Sequence, residues 1–158
     1  GPRALYWLNR LRQEYESQYQ APTLKPQADT YNAVMKAFGD DAKNVEDVFI
    51  LLLQAEKTDA DQCPNTESFS ILIHTWIKVD LSRALMWLEE LISRESRGTG
   101  LTTAPDMFQG ILKAASGKPS IDMLELGSKA FEHYRDSRHR LDAMTFVSLF
   151  RLCVHSLS

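Results

Sequence analysis

The sequence predicts an all-α protein of about eight helices, stacked as antiparallel hairpins. Three observations carry this reading. First, Phe69, Leu72, Ile73, Trp76 and Ile77 recur at helical spacing, as do Ala84, Leu85, Leu88, Leu91 and Ile92. Only Val79-Asp80 separates the two runs, so they form a hairpin. Second, Ala4-Leu5-Tyr6-Trp7-Leu8-Asn9-Arg10-Leu11 matches Ala84-Leu85-Met86-Trp87-Leu88-Glu89-Glu90-Leu91 at five identical positions, 80 residues on. Third, the aromatics Tyr31, Phe69, Phe108 and Phe146 stand 38, 39 and 38 residues apart, each followed at the third and fourth places by two apolar residues. A single hairpin cannot bury both of its apolar faces, and repetition supplies the neighbours.

The chain opens on a helix of second-helix type over 3–20, where small Ala4 followed by Leu8 and Leu11 makes a packing stripe. Three units follow, 27–64, 65–103 and 104–141, and 142–157 begins a further one. First helices carry the four aromatics, and each is expected to bury the aromatic with its apolar pair. Second helices are expected over 45–57, 81–96 and 121–137. Loops fall where breakers cluster, at 21–26, 39–43, 58–64, 97–105 and 116–120. Pro26 and Pro64 each precede their aromatic by five residues and open its helix. Trp7, Trp76 and Trp87 read as packing residues. Trp87, placed between Ala84 and Leu88, is expected to be the partly exposed one.

At 158 residues the chain is long enough for a core without metals or disulfides. It is a single helical-repeat domain by this reading, 3–158, with Gly1-Pro2 the remnant of a protease cleavage. It reads as a segment of a longer array, with an apolar patch expected on at least one terminal helix. Its formal charge of −3 gives no general attraction to nucleic acid or anionic membrane. Cys63 and Cys153 sit in no paired motif and read as free thiols, with one long-range disulfide as the alternative. No apolar run reaches the 18 or so residues that a membrane span needs.

Chemistry-bearing patterns are faint. Ala115-Ser116-Gly117-Lys118-Pro119-Ser120 lacks the upstream Gly of a phosphate loop and reads as a turn. Asp59-Ala60-Asp61 has no calcium-loop spacing. His133 and His139 do not share a helical face, so they read as surface histidines rather than zinc ligands. Cys153 and His155 face different ways on one helix. The reading is of a non-enzyme with no metal and no cofactor.

Pro26-Gln27-Ala28-Asp29-Thr30-Tyr31-Asn32 and Pro64-Asn65-Thr66-Glu67-Ser68-Phe69-Ser70 resemble the pentatricopeptide repeat. That motif runs Pro-Asp/Asn, a gap, Thr/Ser, an aromatic, a small polar residue, then an apolar pair, completed by Ala84-x3-Leu88-x2-Leu91 on the second helix. The resemblance implies a right-handed α-solenoid with first helices on the concave side and second helices on the convex side. It further implies single-stranded RNA as partner, in RNA metabolism or translation of a mitochondrion or plastid, read at about one base per repeat. The implied reader pairs are Asn32 with Asn65, Ser70 with Ala104 (or Asp106, if the unit boundary shifts) and Gln109 with Asp142.

Independently of the resemblance, Lys36, His74, Lys113 and Arg151 each stand five residues after an aromatic, and Lys78 adds to them. Such a series suits contact with a phosphate backbone. Asp29, Glu67 and Asp106, two residues before three of the aromatics, work against it. A carboxylate offers no stacking platform and repels phosphate. In the first helical turn, however, it bonds free N–H groups and favours the dipole. The competing reading is a protein–protein interaction scaffold that uses the same surface.

Overall fold

The computed structural model describes residues 1–18 and 21–156. Eight α-helices occur among them: α1 (Pro2–Ser17), α2 (Ala28–Phe38), α3 (Ala42–Thr58), α4 (Thr66–Ile77), α5 (Leu81–Ser96), α6 (Pro105–Gly117), α7 (Ile121–Asp136) and α8 (Ala143–Ser156). A 3₁₀ turn, Pro22–Leu24, interrupts the first loop. The all-α expectation holds, and neighbouring helices pack together. Residues 19–20 and 157, assigned from sequence to the ends of the first and last helices, lie outside the described residues. The chain divides into two compact units, Gly1–Thr75 and Trp76–Ser158, the division falling in the last turn of α4.

Local chemistry sets the helix ends. Gly39, at φ 63°, closes α2 in a conformation that a side chain would strain. Asp41 then accepts from the Asn44 backbone N–H at 3.2 Å, so α3 starts three residues earlier than its apolar stripe. Asp80 caps α5 through the Ser82 and Arg83 N–H groups. Ser120 caps α7 through that of Met123. Pro105 sits in the first turn of α6, where no donor is lost.

In the first unit α2 packs on α1 and α3. Tyr31, Met35, Phe49, Leu52, Phe69 and Ile73 are fully buried, and the Phe49 and Phe69 rings meet edge to face at 5.0 Å. In the second unit α6, α7 and α8 form a mutually packed triangle, and α5 lies against α6 and α7. The Phe108 ring stacks on Tyr134 at 5.0 Å with planes 7° apart. A Cβ at Gly127 would stand 2.3 Å from Leu152 Cδ2 and 3.8 Å from Leu112 Cδ2. The absence of a side chain there brings α7 close to both first-type helices.

Three expectations are corrected. Trp87 is buried at 8% exposure, because Ala84, Trp87, Leu88 and Leu91 are i, i+3, i+4 and i+7 and share one stripe. Trp7, at the same register on α1, is 62% exposed. Helix α1 packs on α2 and the 3₁₀ turn, which leaves its other flank uncovered. The fourth aromatic also departs from its predecessors. Phe146 is 40% exposed and Phe150 64%, whereas their equivalents Phe108 and Leu112 are exposed by 0% and 1%. Helix α8 turns Thr145 and Leu152 inward instead. Exposed apolar residues thus occur on both terminal helices, Tyr6 and Trp7 on α1 and Met144, Phe146, Val147, Phe150 and Val154 on α8.

Candidate nucleic-acid interface

The residues implied as reader pairs begin as helix-capping chemistry. Asn65 precedes α4, and its Oδ1 accepts from the Ser68 N–H at 3.0 Å while its own N–H donates to Ser68 Oγ at 3.2 Å. This reciprocal pair is a capping box. Asn32, four residues into α2, donates from Nδ2 to Asn65 Oδ1 at 3.1 Å and to Glu67 Oε2 at 3.4 Å. It accepts from Ser68 Oγ at 2.7 Å. Asn65 Nδ2 in turn donates to Asp29 Oδ1 at 3.3 Å.

Asn32 is 2% exposed, so this network is desolvated around one amide. Lys36, one turn further along α2, forms an ion pair with Glu67. That bond holds the Glu67 carboxyl below its usual range. In this unit Asn32 and Asn65 do meet, but each is spent on the other and on α4. Ser70 and His74, one turn apart on α4, bond to each other. His74 Nδ1 lies 2.8 Å from the Ser70 carbonyl oxygen, which only accepts, so Nδ1 carries the proton.

The second unit repeats the arrangement with more exposure. Asp142 caps α8 by accepting from the Thr145 N–H at 2.9 Å and from its hydroxyl, which lowers the Asp142 pKa. Gln109 Nε2 donates to Asp142 Oδ2 at 3.0 Å and to the Tyr134 hydroxyl at 3.2 Å, and Tyr134 donates to the Arg140 carbonyl. Lys113 is exposed one turn beyond Gln109, on the same face of α6, and Arg151 is exposed on α8. Lys78 lines a groove of about 810 Å³ with Trp76, Val79, Leu81, Lys118 and Met123. Ala104 precedes α6 without a side-chain cap, and Asp106 lies in that helix's first turn.

Sequence reasoning missed Tyr134, whose hydroxyl anchors Gln109, since nothing local marks a buried ring's polar end. It also missed Ser68, although Asn-x-x-Ser ahead of an apolar run is a readable capping signal.

His133 meets Glu89 at 3.0 Å, and the His139 ring meets Thr103 Oγ1 at 3.0 Å. Both cysteines are free. Among the described residues no three His, Cys, Asp or Glu side chains gather as a metal site. No described helix is long and apolar enough to cross a membrane. Fold and site together define an all-α protein of packed neighbouring helices with polar side-chain networks between successive first-type helices. No protein-family model matches the chain, and no curated protein matches it significantly.

The depressed carboxyls carry a prediction. Asp59 is held down chiefly by its bond to Lys25, Asp41 by Asn44, Glu67 by Lys36 and Asp142 by Thr145. A group whose folded pKa is lowered stabilises the fold above its unfolded pKa and loses that contribution as pH falls through the folded value. Thermal unfolding followed by circular dichroism should therefore be level from about pH 7 to 5 and fall below about pH 4. The drop should shrink in Glu67→Gln. Asp41, Glu67 and Asp142 are exposed and Asp59 half-buried, so added salt should also flatten the curve.

Proposed function

We propose that the chain is a non-catalytic binding module that contacts single-stranded RNA, with its hairpins stacked as a right-handed solenoid in the manner of pentatricopeptide repeats. Its setting is organellar RNA metabolism or translation, in a mitochondrion or plastid. The observation that carries this reading is the Gln109–Asp142 pair, 3.0 Å apart across 33 residues, with Lys113 exposed one turn away. The same two register positions meet in Asn32–Asn65. The half-buried Gln109 amide spends both its N–H donors on Asp142 and Tyr134, so its Oε1 and the exposed Asp142 carboxylate present acceptors to the N–H groups of a base edge, and a nearby lysine suits the phosphate.

Fluorescence anisotropy with short single-stranded homopolymers tests the reading. Binding at low salt should weaken steeply as salt rises, and Lys113→Ala should reduce the slope of log K against log salt by about one. Gln109→Ala should alter base preference more than overall affinity. No binding at low salt would sink the proposal, as would binding that a Lys113/Arg151 double alanine variant leaves untouched.

A second reading, a protein–protein interaction scaffold, has its own support in the first unit. There Asn32 is buried, and Lys36 is neutralised by Glu67.

A further inference from the structure

The aromatics of the first-type helices differ by one atom that packing does not need. Phe69, Phe108 and Phe146 are hydrocarbon, whereas Tyr31 carries a hydroxyl. Tyr31 has no exposed surface, and its hydroxyl finds no hydrogen-bond partner among the described residues. Burying an unpartnered hydroxyl costs stability that a phenylalanine would keep. Burial raises the Tyr31 pKa, Arg12 of α1 pulls it down by less and Glu16 adds to the rise. The hydroxyl is therefore a protonated donor at neutral pH, and it lies beside those two charges.

Arg12 and Glu16 also line a pocket of about 510 Å³ in the first unit, together with Tyr15, Gln54, Asp59 and Gln62. Pockets of that size hold small ligands. Asp59 is already occupied, since it pairs with Lys25 and accepts from Tyr15 and Gln62, each at 3.5 Å. Arg12 and Glu16 are not. Arg10 and Glu14, four residues apart on the same helix, close an ion pair at 3.0 Å, whereas Arg12 and Glu16, at the same spacing, make none among the described residues. The pocket thus presents one open cation, one open anion and an unused hydroxyl donor. Its charges balance, Arg12 against Glu16 and Lys25 against Asp59, so it favours neither a net anion nor a net cation.

We propose that this pocket binds a small zwitterion, a molecule with an ammonium and a carboxylate such as a free amino acid or a short peptide. Arg12 takes the carboxylate in a two-pronged bond that its planar guanidinium fits. Drawn onto the ligand, Arg12 uncovers the Tyr31 hydroxyl, which donates to the same carboxylate. Glu16 accepts from the ammonium. The pocket holds none of the residues assigned to RNA, and binding here needs no RNA.

Titration of the isotope-labelled chain with L-leucine, trialanine, N-acetyl-L-leucine and L-leucinamide, followed by NMR amide shifts, is the test. L-leucine or trialanine should shift amides of α1, the end of α3 and the 58–62 loop, approaching saturation by about 10 mM. Saturation by L-leucine assigns free amino acids. Saturation by trialanine alone assigns peptides, since each added residue moves the ammonium about 3.5 Å from the carboxylate. N-acetyl-L-leucine and L-leucinamide each lack one charge and should bind at least about tenfold more weakly. Arg12→Gln and Glu16→Gln should weaken the zwitterion by a similar factor.

Tyr31→Phe separates a ligand role from a structural one. The ligand-free variant should melt no lower than the wild type, because the hydroxyl it loses has no partner, yet it should bind the zwitterion about fivefold more weakly. Failure of both L-leucine and trialanine to shift any pocket amide would overturn the proposal. So would blocked compounds that bind as tightly as the zwitterion, or Arg12→Gln and Glu16→Gln chains that bind it unchanged. A Tyr31→Phe chain that melts below the wild type would give the hydroxyl a structural bond instead, and the ligand role would be wrong.

Discussion

Phe108→Ala is expected to cost about 3–5 kcal/mol, the range for removing a fully buried aromatic, while Phe146→Ala costs about 1 kcal/mol or less. The two residues hold the same place in the repeat. Phe108 has no exposed surface and stacks on Tyr134, whereas Phe146 keeps 40% of its surface in solvent and meets Phe131 edge to face at 5.8 Å. The alanine at 108 leaves a cavity at the centre of the α6–α7–α8 triangle, beside a Tyr134 hydroxyl still tied to Arg140. Urea unfolding followed by circular dichroism measures both variants. For a chain of this size the Phe108 change corresponds to a fall in Tm of roughly 10 °C. Equal losses in the two variants would show that α8 is covered in solution as α6 is.

Asn32→Ala should destabilise by about 2 kcal/mol, because it removes an acceptor from the buried Ser68 hydroxyl and a donor from Asn65 and Glu67. Gln109→Ala, whose bond to Asp142 is exposed, should change stability by less than about 1 kcal/mol. The contrast separates the two roles that one register position combines. A buried amide bonded on several sides acts on the fold, and its loss reaches a ligand only through the fold. Melting curves and RNA anisotropy measured on the same samples distinguish them. If Asn32→Ala melted like the wild type yet lost base preference, Asn32 would be a reader in its own right.

The all-α fold was legible because helices write themselves locally. The aromatic with its apolar pair, the Ala-x3-Leu-x2-Leu stripe and the prolines before first-type helices all lie within a few turns of one another. Capping was only partly legible. Asp41 extends α3 beyond its apolar stripe, since one carboxylate oxygen satisfies an N–H that the stripe does not reveal. The tryptophans show the limit from both sides. Trp87 was misjudged by local geometry alone, because an i+3 neighbour shares the stripe. Trp7 has the right geometry and still stands in solvent, because burial belongs to the partner helix as much as to the residue.

The candidate site divides along the same line. The resemblance to the pentatricopeptide repeat implied Asn32 with Asn65 and Gln109 with Asp142 as pairs, and each pair is within hydrogen-bond distance. Spacing was silent on what those pairs spend their hydrogen bonds on. Whether a side chain is free for a ligand depends on every group that faces it, including Ser68, Glu67 and the Tyr134 hydroxyl, from elements 25 to 36 residues away.

By itself, then, the sequence determined that this chain is helical, roughly where its helices begin and end, and that most of them carry one apolar face. These follow from backbone propensity and from the 3.6-residue period, which act over one or two turns. Only the tertiary structure decided which apolar faces are covered, that Lys36 is neutralised by Glu67, and that Asn32 is sealed while Gln109 stays within reach of solvent. Covering and pairing need a second element brought close by packing, and no periodicity within one helix carries that information.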